Sequence, residues 1–137
     1  MRISSRCEYG LRAMVYLAGQ TGEAPVPLPE IASSEAIPTA FLERIFARLR
    51  DGGLVRATRG VSGGYRLAKG PAEISVADVI EAVEGPLCLV GCLPDGGACA
   101  RSIGCASRQV WRRLDEVITE ALTAITLSDL TMEAATR

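Results

Sequence analysis

The spacing of apolar residues predicts three helices in the first part of the chain. The first helix has apolar residues at i, i+3, i+4 and i+7, and it should end at Gly19 or Gly22. A proline-rich break follows, and residues 28–34 form a short helix with Pro29 in its first turn. Residues 38–51 predict a third helix that ends at a glycine pair. Its apolar face consists of Leu42, Ile45, Phe46 and Leu49.

A change of pattern after residue 53 predicts a β-hairpin. Two short β-type runs, residues 54–59 and 65–68, flank the glycine-rich stretch GVSGG. The next helix, in ISVADVIEAVEG, should begin after Ser75, with Asp78 completing a capping box. Apolar residues then alternate at three and four positions through residues 108–125, which predicts a long helix with a heptad-like seam. The seam consists of Trp111, Leu114, Ile118, Ala121 and Ile125.

The order helix, short helix, helix, hairpin is typical of a winged helix-turn-helix. We therefore predict a mostly α fold with a small β-hairpin wing and a long C-terminal dimerisation helix. Residues 1–85 are predicted to form the DNA-binding domain, residues 86–106 a cysteine loop, and residues 107–137 the dimerisation helix and a C-terminal tail. A long terminal helix has little surface to cover within so small a domain, so a two-fold partner is the expected burial.

The charge of the chain is unevenly distributed. Residues 1–70 carry ten Lys or Arg against six Asp or Glu, whereas residues 71–137 carry five against ten. The basic excess lies in residues 43–69, the predicted third helix and wing, where seven basic residues accompany two acidic ones. All but Lys69 are arginines, whose planar fork suits phosphates and guanine edges. The pattern indicates DNA as the partner. The predicted contact residues are Thr39, Glu43, Arg44, Arg48, Arg56, Arg59 and Ser62.

Four of the five cysteines lie in the glycine-rich stretch CLVGCLPDGGACARSIGC, residues 88–105. No apolar run reaches transmembrane length and no leader opens the chain, so we expect a cytoplasmic protein without a membrane partner. Clustered cysteines in a reducing compartment favour metal or redox chemistry over structural disulfides. An iron–sulfur cluster, a zinc site and a thiol or disulfide switch all remain open from the residues alone. Cys7, on the apolar side of the first helix, is predicted to be a small buried hydrophobe.

Several motifs together resemble the Rrf2 family of winged-helix regulators, of the IscR, NsrR and RirA type. They are YGLRAMVYLA, FLERIFARLRDGGLVRATRGVSGGYRLA, ISVADVIEAVEG, the cysteine loop and ITLSDL. The resemblance covers about residues 1–131 and implies a homodimeric transcription regulator, here expected to be a repressor. Many members of that family hold an iron–sulfur cluster on three loop cysteines, so a cluster (2Fe-2S or 4Fe-4S) is expected. It implies Cys92, Cys99 and Cys105 as ligands. The histidine that serves IscR as fourth ligand has no equivalent, because Arg108 stands there and the chain lacks histidine. Glu8, donated by the partner subunit, or Cys88 is the fourth candidate.

Two alternatives compete with a cluster-sensing regulator. One is a redox or electron-transfer module whose cysteines do the chemistry; the other is a winged-helix repressor with zinc or bare thiols. A redox module gives no reason for a basic helix and wing. No acid–base pair, nucleophile triad or phosphate loop is present, and GVSGGY lies in a hairpin tip, not between a strand and a helix. The sequence therefore predicts a non-enzyme without a small-molecule substrate.

Overall fold

The computed structural model describes residues 2–91, 93 and 104–136. Within these residues there are six α-helices, a two-stranded antiparallel hairpin and a short 3₁₀ turn. In chain order they are α1 Ser5–Ala18, α2 Leu28–Glu35, α3 Thr39–Asp51, β1 Val55–Thr58, β2 Gly64–Leu67, the 3₁₀ turn Pro71–Glu73, α4 Val76–Glu84, α5 Ala106–Ala124 and α6 Leu127–Ala135. This confirms the predicted fold class.

Local capping explains where the helices begin and end. The Ser4 hydroxyl accepts the Cys7 N–H at the start of α1, and Gly19 caps its end. The predicted capping box of α4 is present, since Ser75 and Asp78 exchange hydrogen bonds of 3.1 and 2.9 Å. Pro38 is the N-cap of α3, one residue earlier than the first-turn place predicted for it.

One aliphatic core joins α1, α2, α3 and α4 beneath the hairpin. Its largest fully buried side chains include Phe46, Met14, Ile31 and Leu42. Burying an aliphatic side chain of this size stabilises the fold by about 1.5–3 kcal/mol. Cys7 is a member of this core with 6% of its surface exposed, which confirms that it is a structural residue.

The wing is a β-hairpin extended by one residue from the α1–α2 connection. Val26 and Tyr65 exchange two backbone hydrogen bonds of 2.8 Å, so Val26 pairs with β2. Gly64 is required there, because a Cβ at this position would overlap the carbonyl oxygen of Val26. Tyr65 packs its ring on Phe46 with the centroids 4.6 Å apart, which fixes the wing against α3.

The C-terminal part of the chain differs from the prediction of one helix and a tail. Ile125, placed in the helical seam by the sequence, is the extended C-cap of α5, and a separate helix α6 follows. Hydrogen bonds from Val76 to Ile125 and from Leu127 to Ile74 join this turn to the start of α4. Leu127 is fully buried in the core, and α6 packs against α1.

Candidate nucleic-acid interface and cysteine loop

The helix-turn-helix pair presents the first turns of α3 to solvent. Ala36 ends α2 in the left-handed conformation with φ 55°, and the buried Ile37 fixes the turn that follows. Thr39, Glu43 and Arg44 are all exposed on α3. In this motif the second helix of the pair enters the major groove, so these side chains lie where base edges would be contacted.

The wing presents its predicted residues in the same way. Arg56 projects from β1, and Arg59 and Ser62 lie in the hairpin tip, with all three exposed. Gly60 has φ 111°, which a residue with a side chain rarely adopts, so the glycine allows the tight tip beside Arg59. An arginine at a wing tip is suited to a narrow minor groove with an enhanced negative potential.

Internal pairing separates the basic residues into two groups. Salt bridges engage Arg6 with Glu84 at 3.9 Å, Arg12 with Glu35 at 3.4 Å, and Arg50 with Asp51 at 3.7 Å. By contrast, no carboxylate of the described residues lies within 4.0 Å of the basic groups on the exposed face of α3 and on the wing. These are Arg44, Arg56, Arg59, Arg66 and Lys69. Arg112 and Arg113 on α5 also lack a salt bridge, but among the described residues α3 and the wing bring five such groups together, so unpaired positive charge is concentrated on the part of the motif that meets DNA.

Arg48 differs from the other predicted DNA contacts. Its Nη1 donates a 3.2 Å hydrogen bond to the carbonyl oxygen of Val83 in the last turn of α4. Arg6 of α1 donates to the same oxygen over 3.3 Å. Sequence reasoning missed this junction because a backbone acceptor leaves no residue signature. A phosphate contact by Arg48 stays a prediction, and it would have to use the guanidinium N–H groups that do not donate to Val83.

The cysteine loop falls only partly within the described residues. Cys92 and Cys99 lie outside them, so the predicted three-cysteine ligand set stays a prediction. Cys88 is exposed and its thiol donates to the Val90 carbonyl over 3.0 Å. Within the described part of the chain, no group of three or more Cys, His, Asp or Glu residues is arranged to hold a metal ion.

Cys105 occupies the N-cap of α5, the 19-residue helix. Its sulfur lies 3.2 Å from the Ser107 hydroxyl. Hydrogen bonding by Ser107, and then by the Arg108 backbone, lowers the pKa of the Cys105 thiol. The thiolate, the form that binds metal, therefore forms more readily here than in a free cysteine, and the partial positive charge of the helix N-terminus acts in the same direction.

Glu8, the other predicted ligand, is exposed in the first turn of α1. Its backbone N–H donates to the Ser4 carbonyl, and its carboxylate makes no hydrogen bond or ion pair within the described residues. The side chain is therefore accessible to a second subunit.

The helix α5 has no buried residue along its whole length. Of the predicted seam, Leu114 and Ile118 are half-buried within the chain, whereas Trp111 and Ala121 are exposed. Two further valines are prominent on its outer side, Val110 with 60% and Val117 with 47% of the surface exposed. The apolar stripe is thus wider than one intramolecular contact requires, and part of it is left open to solvent.

A family model described as an iron-dependent transcriptional regulator, Rrf2, matches residues 3–133. The chain belongs to the Rrf2 family of transcription regulators. The resemblance drawn from its motifs is thereby confirmed, together with the prediction that it is a DNA-binding regulator and not an enzyme.

Named Rrf2 relatives match most of the chain. It is 38% identical over 130 residues to the HTH-type transcriptional regulator IscR of Klebsiella pneumoniae, covering 95% of this chain and 79% of that protein. Similar solved structures include the IscR of T. potens, with a TM-score of 0.80, 35% identity and coverage of 98% and 88%. Another is CymR, titled the global cysteine regulator of B. subtilis, with a TM-score of 0.82, 34% identity and coverage of 97% and 98%.

No described helix of this Rrf2 protein combines the length and the apolar character needed to span a bilayer.

Proposed function

We propose that this Rrf2 protein is a homodimeric transcription regulator that senses iron, redox state or nitric oxide through an iron–sulfur cluster. It would act in the cytoplasm on genes for cluster assembly, iron supply or stress. The observation that carries its DNA-binding role is the grouping of unpaired basic side chains on α3 and the wing. Arg44, Arg56 and Arg59 have no internal carboxylate partner among the described residues, whereas Arg6, Arg12 and Arg50 each have one.

The proposed cluster ligands are Cys92, Cys99 and Cys105, with Glu8 of the partner subunit in the fourth place. The chemistry of the donors fits, because iron–sulfur clusters are held by thiolates and the pKa of Cys105 is lowered. Its place on the first residue before α5 ties the loop to the helix that would form the dimer. When bound, the cluster would supply a group that reacts with oxidants and nitric oxide and responds to iron supply.

The proposed dimer forms through the exposed apolar side of α5. Val110 and Val117 lie on this side, and α4 is the main neighbour of α5 within the described residues. A second copy would bury the remaining stripe and place two winged helices about one DNA turn apart, as two half-sites require. A carboxylate ligand donated by the partner subunit would make the cluster sensitive to the relative position of the two subunits.

The proposed path from the loop to DNA runs through the end of α4. The loop begins directly after α4, where the Val83 carbonyl receives Arg48 from α3 and Arg6 from α1. Residues just beyond are also tied to the dimer helix, because the Leu89 N–H donates to Asp115 of α5 over 3.3 Å. A change in the loop would therefore act on α3 and α5 at the same time.

A second candidate function is a thiol switch without metal. The lowered pKa of Cys105 favours a reactive thiolate, and a similar solved structure is titled an oxidised form of CymR from Staphylococcus aureus. That structure has a TM-score of 0.74 and 31% identity to this chain. A thiol switch would need only cysteines, with no contribution from Glu8.

Single replacements, examined by visible absorption and by iron and sulfide analysis after anaerobic purification, test the proposal. We expect Cys92→Ala, Cys99→Ala and Cys105→Ala to lose the chromophore and Glu8→Ala to alter it. Cys88→Ala is the matched control and should keep the spectrum. Loss of the chromophore in Cys88→Ala, with an unchanged spectrum in Glu8→Ala, would instead indicate a site with four cysteine ligands from one chain. A colourless protein, with or without zinc, would overturn the iron–sulfur proposal.

A further inference from the structure

Two arginines face each other across the wing without a counter-charge. Arg56 of β1 and Arg66 of β2 are direct register partners, so their side chains leave the same face of the hairpin. Both are exposed. Like charges directly opposite in a sheet are destabilising, and no carboxylate of the described residues pairs with either. An anion from outside the chain would relieve this repulsion.

An open cleft adjoins the arginine pair. It has a volume of about 360 Å³ and lies between the hairpin, the end of α1 and the α1–α2 connection. Lys69 adds a third cation to its lining, and Glu23 is the one acidic residue there. The Nη1 of Arg66 donates to the Glu23 carbonyl over 3.3 Å, which holds one end of that guanidinium at the α1–α2 connection. The lining therefore carries a net positive charge.

The position of the cleft relative to the wing tip suits a backbone phosphate. Arg56 precedes Arg59 by three residues, which is about 10 Å of strand. The minor groove of B-DNA is only about 7.5 Å deep. For a wing that enters the groove tip first, with Arg59 at its floor, Arg56 and its register partner Arg66 would stay outside the groove, beside the phosphates along its edge.

We propose that Arg56, Arg66 and Lys69 form a phosphate clamp for the DNA backbone bordering the groove that the wing tip enters. The proposal rests on the DNA-binding function above and adds to it a contact made by the outer face and base of the wing. A guanidinium pair binds phosphate oxygens by charge-assisted hydrogen bonds and reads no base. The clamp therefore strengthens binding to every sequence and sets the register of the wing.

The test uses the full-length protein and two DNA duplexes, one selected from a random library by the protein and one scrambled. Dissociation constants are measured over a salt series for Arg66→Gln, Lys69→Gln and the double variant. Arg112→Gln, an exposed charge on α5 away from the apolar stripe, is the matched control. For each phosphate that a variant no longer binds, we expect the log–log salt slope to fall by about 0.9. Affinity should fall by the same factor on both duplexes, while Arg112→Gln matches the unmodified protein.

Other outcomes overturn the clamp and are distinguishable from failure of the proposed function. If the cleft variants keep their salt slope and affinity while Arg59→Gln loses affinity, the clamp is wrong and the DNA interface stands. If Arg59→Gln also binds unchanged, the interface itself is wrong. If inorganic phosphate raises the thermal midpoint of the unmodified protein but not of Arg66→Gln, and DNA slopes are unchanged, the cleft binds small anions instead. Lys69→Gln should fold normally, because the Lys69 side chain makes no hydrogen bond or ion pair within the described residues. A loss of DNA affinity in this variant therefore cannot be attributed to misfolding.

Discussion

The Nη1 of Arg48 donates to the carbonyl oxygen of Val83 over 3.2 Å, so α3, the second helix of the helix-turn-helix, is fastened to the last turn of α4. The last carbonyls of a helix have no partner within it, and a basic side chain can satisfy them. Arg6 shares the same oxygen from α1. The end of α4 is thus a junction of three helices at the entrance to the cysteine loop.

Replacing Arg48 should mainly affect stability, whereas replacing Arg44 should mainly affect DNA binding. We expect Arg48→Ala to lower the free energy of unfolding by about 1 kcal/mol, the usual net value of a hydrogen bond. Arg44→Ala, on the same helix and without an internal carboxylate partner among the described residues, should leave unfolding unchanged and weaken DNA binding. Urea unfolding and DNA titrations on both variants provide the measurement. If Arg48→Ala keeps full stability and instead lowers the salt slope, Arg48 is a phosphate contact and the junction is unimportant.

The wing depends on a close backbone approach at Gly64. In Gly64→Ala the new Cβ would overlap the Val26 carbonyl oxygen and break the pairing between Val26 and Tyr65. We expect a loss of about 1–3 kcal/mol of stability, the usual range for forced overlap, together with weaker DNA binding. Gly19→Ala is the control, because its Cβ would make only ordinary contacts. Equal stability of the two variants in thermal unfolding would contradict the proposed role of Gly64.

The outer face of α5 should hold two subunits together. Val117→Asp places a charge in the exposed apolar stripe, where burial in a dimer is strongly unfavourable. Val117 is a better position than Ile118, because Ile118 is half-buried within its own chain and its replacement would also disturb folding. Light scattering should report a folded monomer for Val117→Asp and a dimer for Arg112→Asp, on the opposite side of the helix. A dimer in both variants would place the subunit contact elsewhere.

The capping box of α6 gives the protein a pH dependence. The backbone N–H and hydroxyl of Thr126 donate to Asp129 over 2.9 and 3.0 Å and lower the pKa of that carboxyl. A carboxyl with a lowered folded-state pKa stabilises the fold above its unfolded pKa, and this contribution is lost as pH falls through the folded value. The stability difference between the unmodified protein and Asp129→Asn should therefore be constant near neutral pH and shrink as the pH falls below about 4, the ordinary pKa of an aspartate. Glu133→Gln on the same helix is the control, and an equal pH response in both variants would contradict the cap.

Much of this fold follows from spacing and caps in the sequence. The glycine at the end of α1, the four-residue apolar face of α3 and the box formed by Ser75 and Asp78 are all local signals. Thr126 and Asp129 carry the same signal for α6, but the apolar seam runs on through Ile125 and conceals the break between helices. The pairing of Arg48 with a backbone carbonyl, and the division of the α5 stripe, depend on tertiary packing, which the sequence pattern does not encode.

The candidate site, too, could be predicted only in part from the sequence. Residue type and position were enough to place Arg44, Arg56 and Arg59 on exposed surfaces of α3 and the wing, where the structure has them. The internal salt bridges of the arginines could be identified only from the structure, because Arg12, for example, pairs with Glu35 of a different helix. The thiolate-favouring place of Cys105 likewise depends on where α5 begins. The ligand set of the loop stays a prediction from the family resemblance.

The most direct test of cluster sensing is the affinity of the dimer for one selected DNA duplex with the iron–sulfur cluster present and after its removal. We predict that anaerobically purified protein is coloured and that its DNA affinity changes when the cluster is removed by a chelator and an oxidant. We also predict that the DNA affinity of Cys92→Ala is the same before and after this treatment. A chromophore that survives in Cys92→Ala would contradict Cys92 as a ligand. Equal affinity of the coloured and colourless forms of the unmodified protein for DNA would contradict a sensing role.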